Sequence, residues 1–154
     1  MPLSNYLRNR NIMDLINGET GSSSQTYLAL SSTAPNPDGT NVTEPAGTFE
    51  TTGYKRISVK YNIIGGQSAP NFPTSATYDS EHDIYIITNT RDIYFNEARS
   101  TWPTITHFAI YNSETGGSML AYGALNSSIS PTSGMIPVIR TGQLTISEEQ
   151  TQSI

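Results

Sequence analysis

Cysteine is absent from the 154 residues, which removes disulfides and thiolate metal sites together. Charge is scarce: 14% of residues are Asp, Glu, Lys or Arg, and the net charge is -5. Eight Lys and Arg spread thinly make no basic stripe able to displace counterions from phosphate. Nucleic acid is therefore not an expected partner, and an acidic membrane surface would repel the chain. No apolar run approaches the roughly 18–20 residues of a spanning helix. The opening Met1-Pro2-Leu3-Ser4-Asn5-Tyr6-Leu7-Arg8 lacks the basic start and apolar core of a signal peptide. Any exit from a cell is expected by another route, such as lysis. Internal repeats are missing too, and no low-complexity stretch is long enough to serve as a linker.

What remains is neutral polarity. Ser, Thr, Asn and Gly dominate the polar residues; Thr favours strands, while the others favour turns. The length fits one domain, which buries roughly 70% of its unfolded surface and needs no metal or disulfide staple.

The only helical candidate runs from Leu3 to Asn17, with Ser4 as N-cap and Gly18 where a left-handed C-terminal cap belongs. Leu7, Ile12, Leu15 and Ile16 share one broad half of it, but Arg8 and Asn9 intrude. Two settings suit so poor a stripe: a helix lying loosely on its own sheet, or an arm packing on a neighbouring subunit. Gly18 to Ser24 reads as loop.

Short strand-like runs between turn signals follow, as in a sandwich or barrel. Thr26 to Leu30 is the first, closed by Pro35-Asn36-Pro37-Asp38-Gly39. Tyr54 to Ile64 alternates most clearly, with Ile57, Val59, Tyr61 and Ile63 on one face, and Gly65-Gly66 breaks it. Ile84–Ile87 and Ile93–Phe95 read as a pair. Thr104–Tyr111 and Met119–Leu125 read as a hairpin around Ser113-Glu114-Thr115-Gly116-Gly117, and Ile136–Ile139 with Leu144–Ile146 as a last pair around Thr141-Gly142. The predicted fold is all-β: a single antiparallel β-sandwich or jelly-roll-like domain with a short N-terminal helix. Residues 1–18 form the helix or arm, 19–147 the β domain and 148–154 a polar, fraying tail.

Chemistry is thin along this chain. His107 sits inside an alternating strand, where a hydrogen-bonded sheet residue is the commoner outcome than a base. His82 lies in the acidic turn Asp79-Ser80-Glu81-His82-Asp83 and reads as solvated, as do Glu81 and Asp83. Glu148-Glu149 falls in the tail, where water screens any coupling. Asn36-x-Asp38-x-Thr40 with Asn41 faintly resembles an oxygen-rich calcium loop, but the Gly and terminal Glu of an EF-hand do not follow in place. Asn41-Val42-Thr43 and Asn126-Ser127-Ser128 match the glycosylation pattern, which matters only in a secretory pathway. Trp102, before Pro103, suits either a sugar-stacking platform or, more often, a plug at the end of a sandwich. Tyr27, Tyr61, Tyr85, Tyr94, Tyr111 and Tyr122 lie in strand runs and belong to core or rim. No catalytic, cofactor-binding or metal residue is assigned, no cofactor is expected, and the chain reads as a non-enzyme.

In their order the segments resemble a widespread family of small phage virion proteins, often labelled tail-fibre or minor structural proteins. The likeness starts with Leu3-Ser4-Asn5-Tyr6-Leu7 and Asn17-Gly18, then Tyr27-Leu28-Ala29-Leu30-Ser31-Ser32, Ala34-Pro35 and Asn41-Val42-Thr43-Glu44-Pro45. Gly53-Tyr54-Lys55-Arg56-Ile57-Ser58-Val59 resembles the family's Gly-Tyr-x-Arg strand. The most specific piece is Trp102-Pro103-Thr104-Ile105-Thr106-His107-Phe108-Ala109-Ile110-Tyr111, running on through Glu114 to Leu125, with Gly142-Gln143-Leu144-Thr145-Ile146 at the close. Ser68 to Arg99 departs from the pattern and reads as an insertion with a contact-making tip.

The resemblance implies a virion component without enzymatic activity, a sandwich-like fold and a homo-oligomer. The leading expectation is a capsid decoration (cement) subunit that binds and stabilises the outer shell through the major capsid protein, where repetition makes modest contacts sufficient. A tail-fibre, collar or baseplate component, possible contacts with host glycans included, is the alternative. No residue fixes the oligomer number; three-fold positions on an icosahedral shell favour a trimer.

Overall fold

A computed structural model describes residues 3–18, 25–64 and 67–148, without the side chains of 63, 64, 67 and 68. The loop expected over Glu19–Ser24, the Gly65-Gly66 break and the tail beyond Glu148 lie outside the described residues. Strands far outnumber helices, so the domain is all-β with a short N-terminal helix, and among the described residues every strand pair is antiparallel.

Helix α1 spans Asn5–Asn17. The Ser4 side chain accepts a hydrogen bond from the Leu7 N–H, as the sequence indicates, and Gly18 closes the other end with its N–H on Asp14 O; its φ of 79° is positive, but with ψ at 174° it is not the expected left-handed cap. Of the two settings for this helix, the structure has it packed on the chain's own domain, with Ile12 and Ile16 in the core. The two intruders explain the poor stripe. Arg8 is buried and donates to Glu148 and Asp83, and Asn9 Oδ1 accepts the Ala76 N–H at 3.1 Å.

The main sheet has the order β2-β1-β8-β9: β1 is Tyr27–Ser31, β2 Ile57–Ser58, β8 Ile105–Tyr111 and β9 Met119–Ile129. The expected β8–β9 hairpin is present, and β9 runs four residues further than its apolar pattern suggests. Phe108 stands opposite Gly123, where a Cβ would come within 3.0 Å of the ring; a glycine there leaves the ring its place in the core.

Tyr54–Ile64 is not one strand. It divides into β2 and β3 (Tyr61–Ile64), and β3 turns away to pair with β4 (Gln67–Pro70). Val59 is buried, Tyr61 is exposed and Asn62 is buried, so the alternation changes phase at the break. The cause is the fully buried Asn71, whose side chain donates to Val59 O and whose N–H donates to Lys60 O. Those bonds occupy backbone groups that a continuous strand would have offered to β1.

The two later pairs also differ from expectation. Strand β6 (Ile84–Thr88) pairs with β11 (Thr145–Ser147) and with β5 (Thr77–Asp79), while β7 (Ile93–Tyr94) pairs with β10 (Val138–Ile139). Segments 86–94 and 138–147 thus form one interrupted antiparallel ribbon instead of two self-closed hairpins. Buried Asn89 holds the interruption: its amide donates to Arg91 O and Arg140 O, and its Oδ1 accepts from Gly142 N and Leu144 N. The departing stretch Ser68–Arg99 is no appendage, because Phe72, Tyr85, Ile87, Ile93, Phe95 and Ala98 all belong to the core.

One apolar cluster takes side chains from the main sheet (Leu28, Leu30, Ile105, Phe108, Ile110), the smaller sheets (Ile87, Ile93, Ile139, Ile146) and α1. Over β1 and β8 the main sheet is covered on its other face as well. Ala29, Ala109 and Tyr111 are buried there beside Met119, beneath the loop that contains Gly39 and Glu44.

Candidate functional site

The Gly-Tyr-x-Arg segment turns out to be a structural hub. Gly53 follows the short helix α2 (Phe49–Thr52) at φ 75°, and a Cβ on it would lie 2.0 Å from Glu97 O. Only glycine permits that approach. The Tyr54 hydroxyl donates to Glu44 and accepts the Leu30 N–H, and its ring meets Trp102 edge-on at 5.3 Å. Burial, then the Glu44 carboxylate, pushes the Tyr54 phenol well above its ordinary range. Arg56 is buried, grips both oxygens of Glu44 at 3.0 Å, and lies 3.7 Å above the Tyr111 ring. It also donates to Ser113 O and Gly116 O, which fixes the β8–β9 turn. Four elements meet at one guanidinium. The motif was visible in the sequence, its partner Glu44 was not; Glu44 lies in another quoted piece, Asn41–Pro45, and nothing in the spacing joins the two.

Trp102 is the plug and not the platform: it is 3% exposed, and its indole N–H donates to Thr52 O at 2.8 Å. His107 is half-buried in β8, with Nδ1 2.7 Å from Thr106 Oγ1, and no described carboxylate joins them. His82 is exposed and sits 2.8 Å from Asp79, whose carboxyl it holds below the usual range. Asp79, Glu81 and His82 put ligand atoms within 4.8 Å of one another, but both Asp79 oxygens are already engaged, by the Glu81 N–H and by His82. Asp83 is exposed, as read from the sequence, and accepts from Tyr78 and Arg8, which lower its pKa in that order. Glu148 is tied to Arg8 at 2.7 Å and donates its N–H to Tyr85 O. In the calcium-like stretch, Asp38 accepts from the N–H and hydroxyl of Thr40, and Asn36 donates to the same hydroxyl, so the loop closes on itself. Asn41, at φ 62°, donates to Ala34 O, and the Asn126 side chain donates to Gly142 O.

Two surfaces remain. The first is the outer edge of β9. Its eleven residues carry neither charge nor proline, Leu120 and Tyr122 are exposed, and from Met119 to Leu125 the edge has no backbone partner among the described residues. The second is a pair of clefts that share Tyr61. One, of about 930 Å³, lies between α1 and the β3–β4 hairpin; the other, of about 470 Å³, runs past Tyr27 and Tyr94. Tyr6, Tyr61 and Tyr94 line them and are 76%, 42% and 40% exposed. Tyr61 and Tyr94 lie in strand runs and read from the sequence as core or rim; Tyr6, in α1, was not singled out.

No curated protein matches the chain. A family model described as Podophage GP4 fiber I protein gp80 matches residues 2–147, and the stretch Ser68–Arg99 lies within that span. The chain thus belongs to the Podophage GP4 fiber I protein gp80 family and is a structural component of a phage virion.

Proposed function

We propose that this protein is a non-enzymatic fibre subunit of the phage particle, working as a folded module that joins copies of itself and other virion proteins. The observation that carries the reading is the fibre family's match across nearly the whole chain. The open β9 edge supports self-association. Natural sheet edges are guarded by charge, proline or a covering element; Met119 to Leu125 hold no charge and no proline, and no strand among the described residues pairs with their outer edge. Two copies meeting edge to edge about a two-fold axis would extend the four-stranded sheet to eight, with no like charges opposed. Replacing Leu120 and Tyr122 by Glu should then shift the sedimenting species to the monomer with the fold kept.

Capsid decoration is the second reading, favoured by the compact domain and the lack of a fibre-forming repeat. Its argument from a free N-terminal arm is weakened, since α1 commits Ile12, Ile16 and Arg8 to its own domain. Copy number separates the two. Quantitative mass spectrometry of purified particles should give a few to a few dozen copies for a fibre component. A number approaching that of the major capsid protein would overturn the fibre reading in favour of decoration.

A further inference from the structure

We infer that β9 seats a second copy of this chain in one register, with Tyr122 on the two-fold axis, and that the joint closes at two copies. This rests on the reading that the β9 edge joins copies, and adds which residues meet and where growth stops. The usable edge is bounded at both ends. Beyond Leu125, the Asn126 N–H donates to Gln143 O and the Asn126 side chain to Gly142 O, so that turn occupies the edge. Before Met119, Ser118 is held in the hairpin turn: its N–H donates to Asn112 Oδ1 and its carbonyl accepts the Asn112 N–H. Seven residues, Met119 to Leu125, lie between these limits, and none carries a charge.

In an antiparallel pair, residues directly opposite both turn their backbone groups towards the partner strand or both away. A two-fold axis between β9 and its copy must therefore pass through a residue, never between two. Tyr122 is the midpoint of the seven, and it alone lets all of them pair. Met119 then faces Leu125 of the second copy, Leu120 faces Ala124, and Ala121 faces Gly123. Both neighbouring choices lose contact. An axis at Gly123 drives Leu120 against Asn126, whose edge the Gly142–Gln143 turn already holds. An axis at Ala121 sets Ala124 against Ser118 in the hairpin turn. Tyr122 also lies in the stretch Ala121–Ala124 that pairs one-to-one with β8, clear of the irregularities at either end. Its exposed ring, opposite Ala109, meets its own symmetry mate there as a favourable cross-strand aromatic pair. The far edge of the sheet stops growth. Strand β2 is two residues long, Lys55 and Lys60 stand on either side of it, and the chain then turns away into β3. Edges that short, charged and diverted do not template another strand.

The chain has no cysteine, so single cysteines report the register without background. Sedimentation of the unsubstituted chain should reach two copies as concentration rises and stop there. Under mild oxidation Tyr122→Cys should give a band of doubled mass on a denaturing gel. Opposite Cα atoms stand roughly 4.5–5.5 Å apart, inside the reach of a disulfide. Leu120→Cys and Ala124→Cys should each stay single alone, because like residues then lie roughly 13 Å apart along the strands. Mixed together, these two should cross-link. The mixed pair leaves Tyr122 in place, so the register is read even if replacing that residue weakens the joint. A dimer whose cysteines link in any other combination overturns the register and leaves the edge reading standing. Growth past two copies overturns the closure. A chain that stays monomeric overturns the edge reading and the register together, and leaves an extended segment of another virion protein as the occupant of β9.

Discussion

Over β1 and β8 the two faces of the main sheet are both closed, by opposite chemistry. On the inner face Leu28, Leu30, Phe108 and Ile110 meet other apolar side chains from the β10–β7 and β11–β6–β5 sheets and from α1. On the outer face Ala29 and Ala109 are equally buried, yet what covers them is a loop held by polar bonds. Ser32 donates its N–H to Thr43 O, Thr33 donates to Asn41 O, and the Arg56–Glu44 pair locks the loop over Tyr111. The inner face needs bulk, and the outer face needs small residues and one well-placed guanidinium. A sheet can therefore be buried on both sides without a second sheet on each.

Four substitutions or conditions sharpen that contrast. Phe108→Ala, in the middle of the inner face, should cost about 3–5 kcal/mol in urea unfolding, by lost transfer energy and the cavity left behind. Arg56→Met should cost about 3 kcal/mol, at the low end for breaking a buried pair, because Glu44 keeps some contact with water. A double replacement with Glu44→Gln should then cost less than the sum of the two single changes. If Arg56→Met proves as harmless as a surface change, the outer loop is held by something other than this pair. Gly123→Ala should cost about 1 kcal/mol, since the new methyl presses on the Phe108 ring.

The smallest effect belongs to the rim. Asp38, Asp79, Asp83 and Asp92 all titrate lower in the folded chain than their ordinary value, through bonds from Thr40, His82, Tyr78 with Arg8, and Thr141 respectively. Below about pH 4 the unfolded chain takes up protons first, so stability present at neutral pH is lost as the pH falls further. Urea midpoints measured at pH 7 and pH 3 should show the drop, and salt should shrink it. A midpoint that holds steady to pH 3 would mean the rim contacts contribute nothing.

The sequence revealed the inner face and much less of the outer one. Strands β1 and β8 read as apolar because both of their faces are covered, and the β8–β9 turn carries glycines at φ 61° and 74°, so this hairpin was legible. The partners of β6 and β7 were not. Adjacent runs joined by a short polar link suggest a hairpin, and nothing in the string announces that Asn89 donates across to Arg140 O and so joins two segments about fifty residues apart. The change of phase after Val59 was hidden for the same reason: it depends on Asn71, a residue that reads as loop. Of the candidate surface, the tyrosines were visible as residues but not as exposed ones. That Tyr6 and Tyr61 line one cleft was hidden as well, because α1 and β3 come together only in the fold.

The position of β1 has a consequence in time. This strand is central to its sheet, yet its partners are β2 and, some eighty residues further on, β8. At roughly 5–20 residues per second, a ribosome delivers β8 about 4–16 seconds after β1. Throughout that interval Leu28 and Leu30 have no sheet to close over them, and Ile146, near the far end of the described chain, joins their cluster last. The cluster that holds Leu28 and Leu30 is complete only once Ile146 has emerged, and it is during this wait that an infected cell's chaperones have the most to guard.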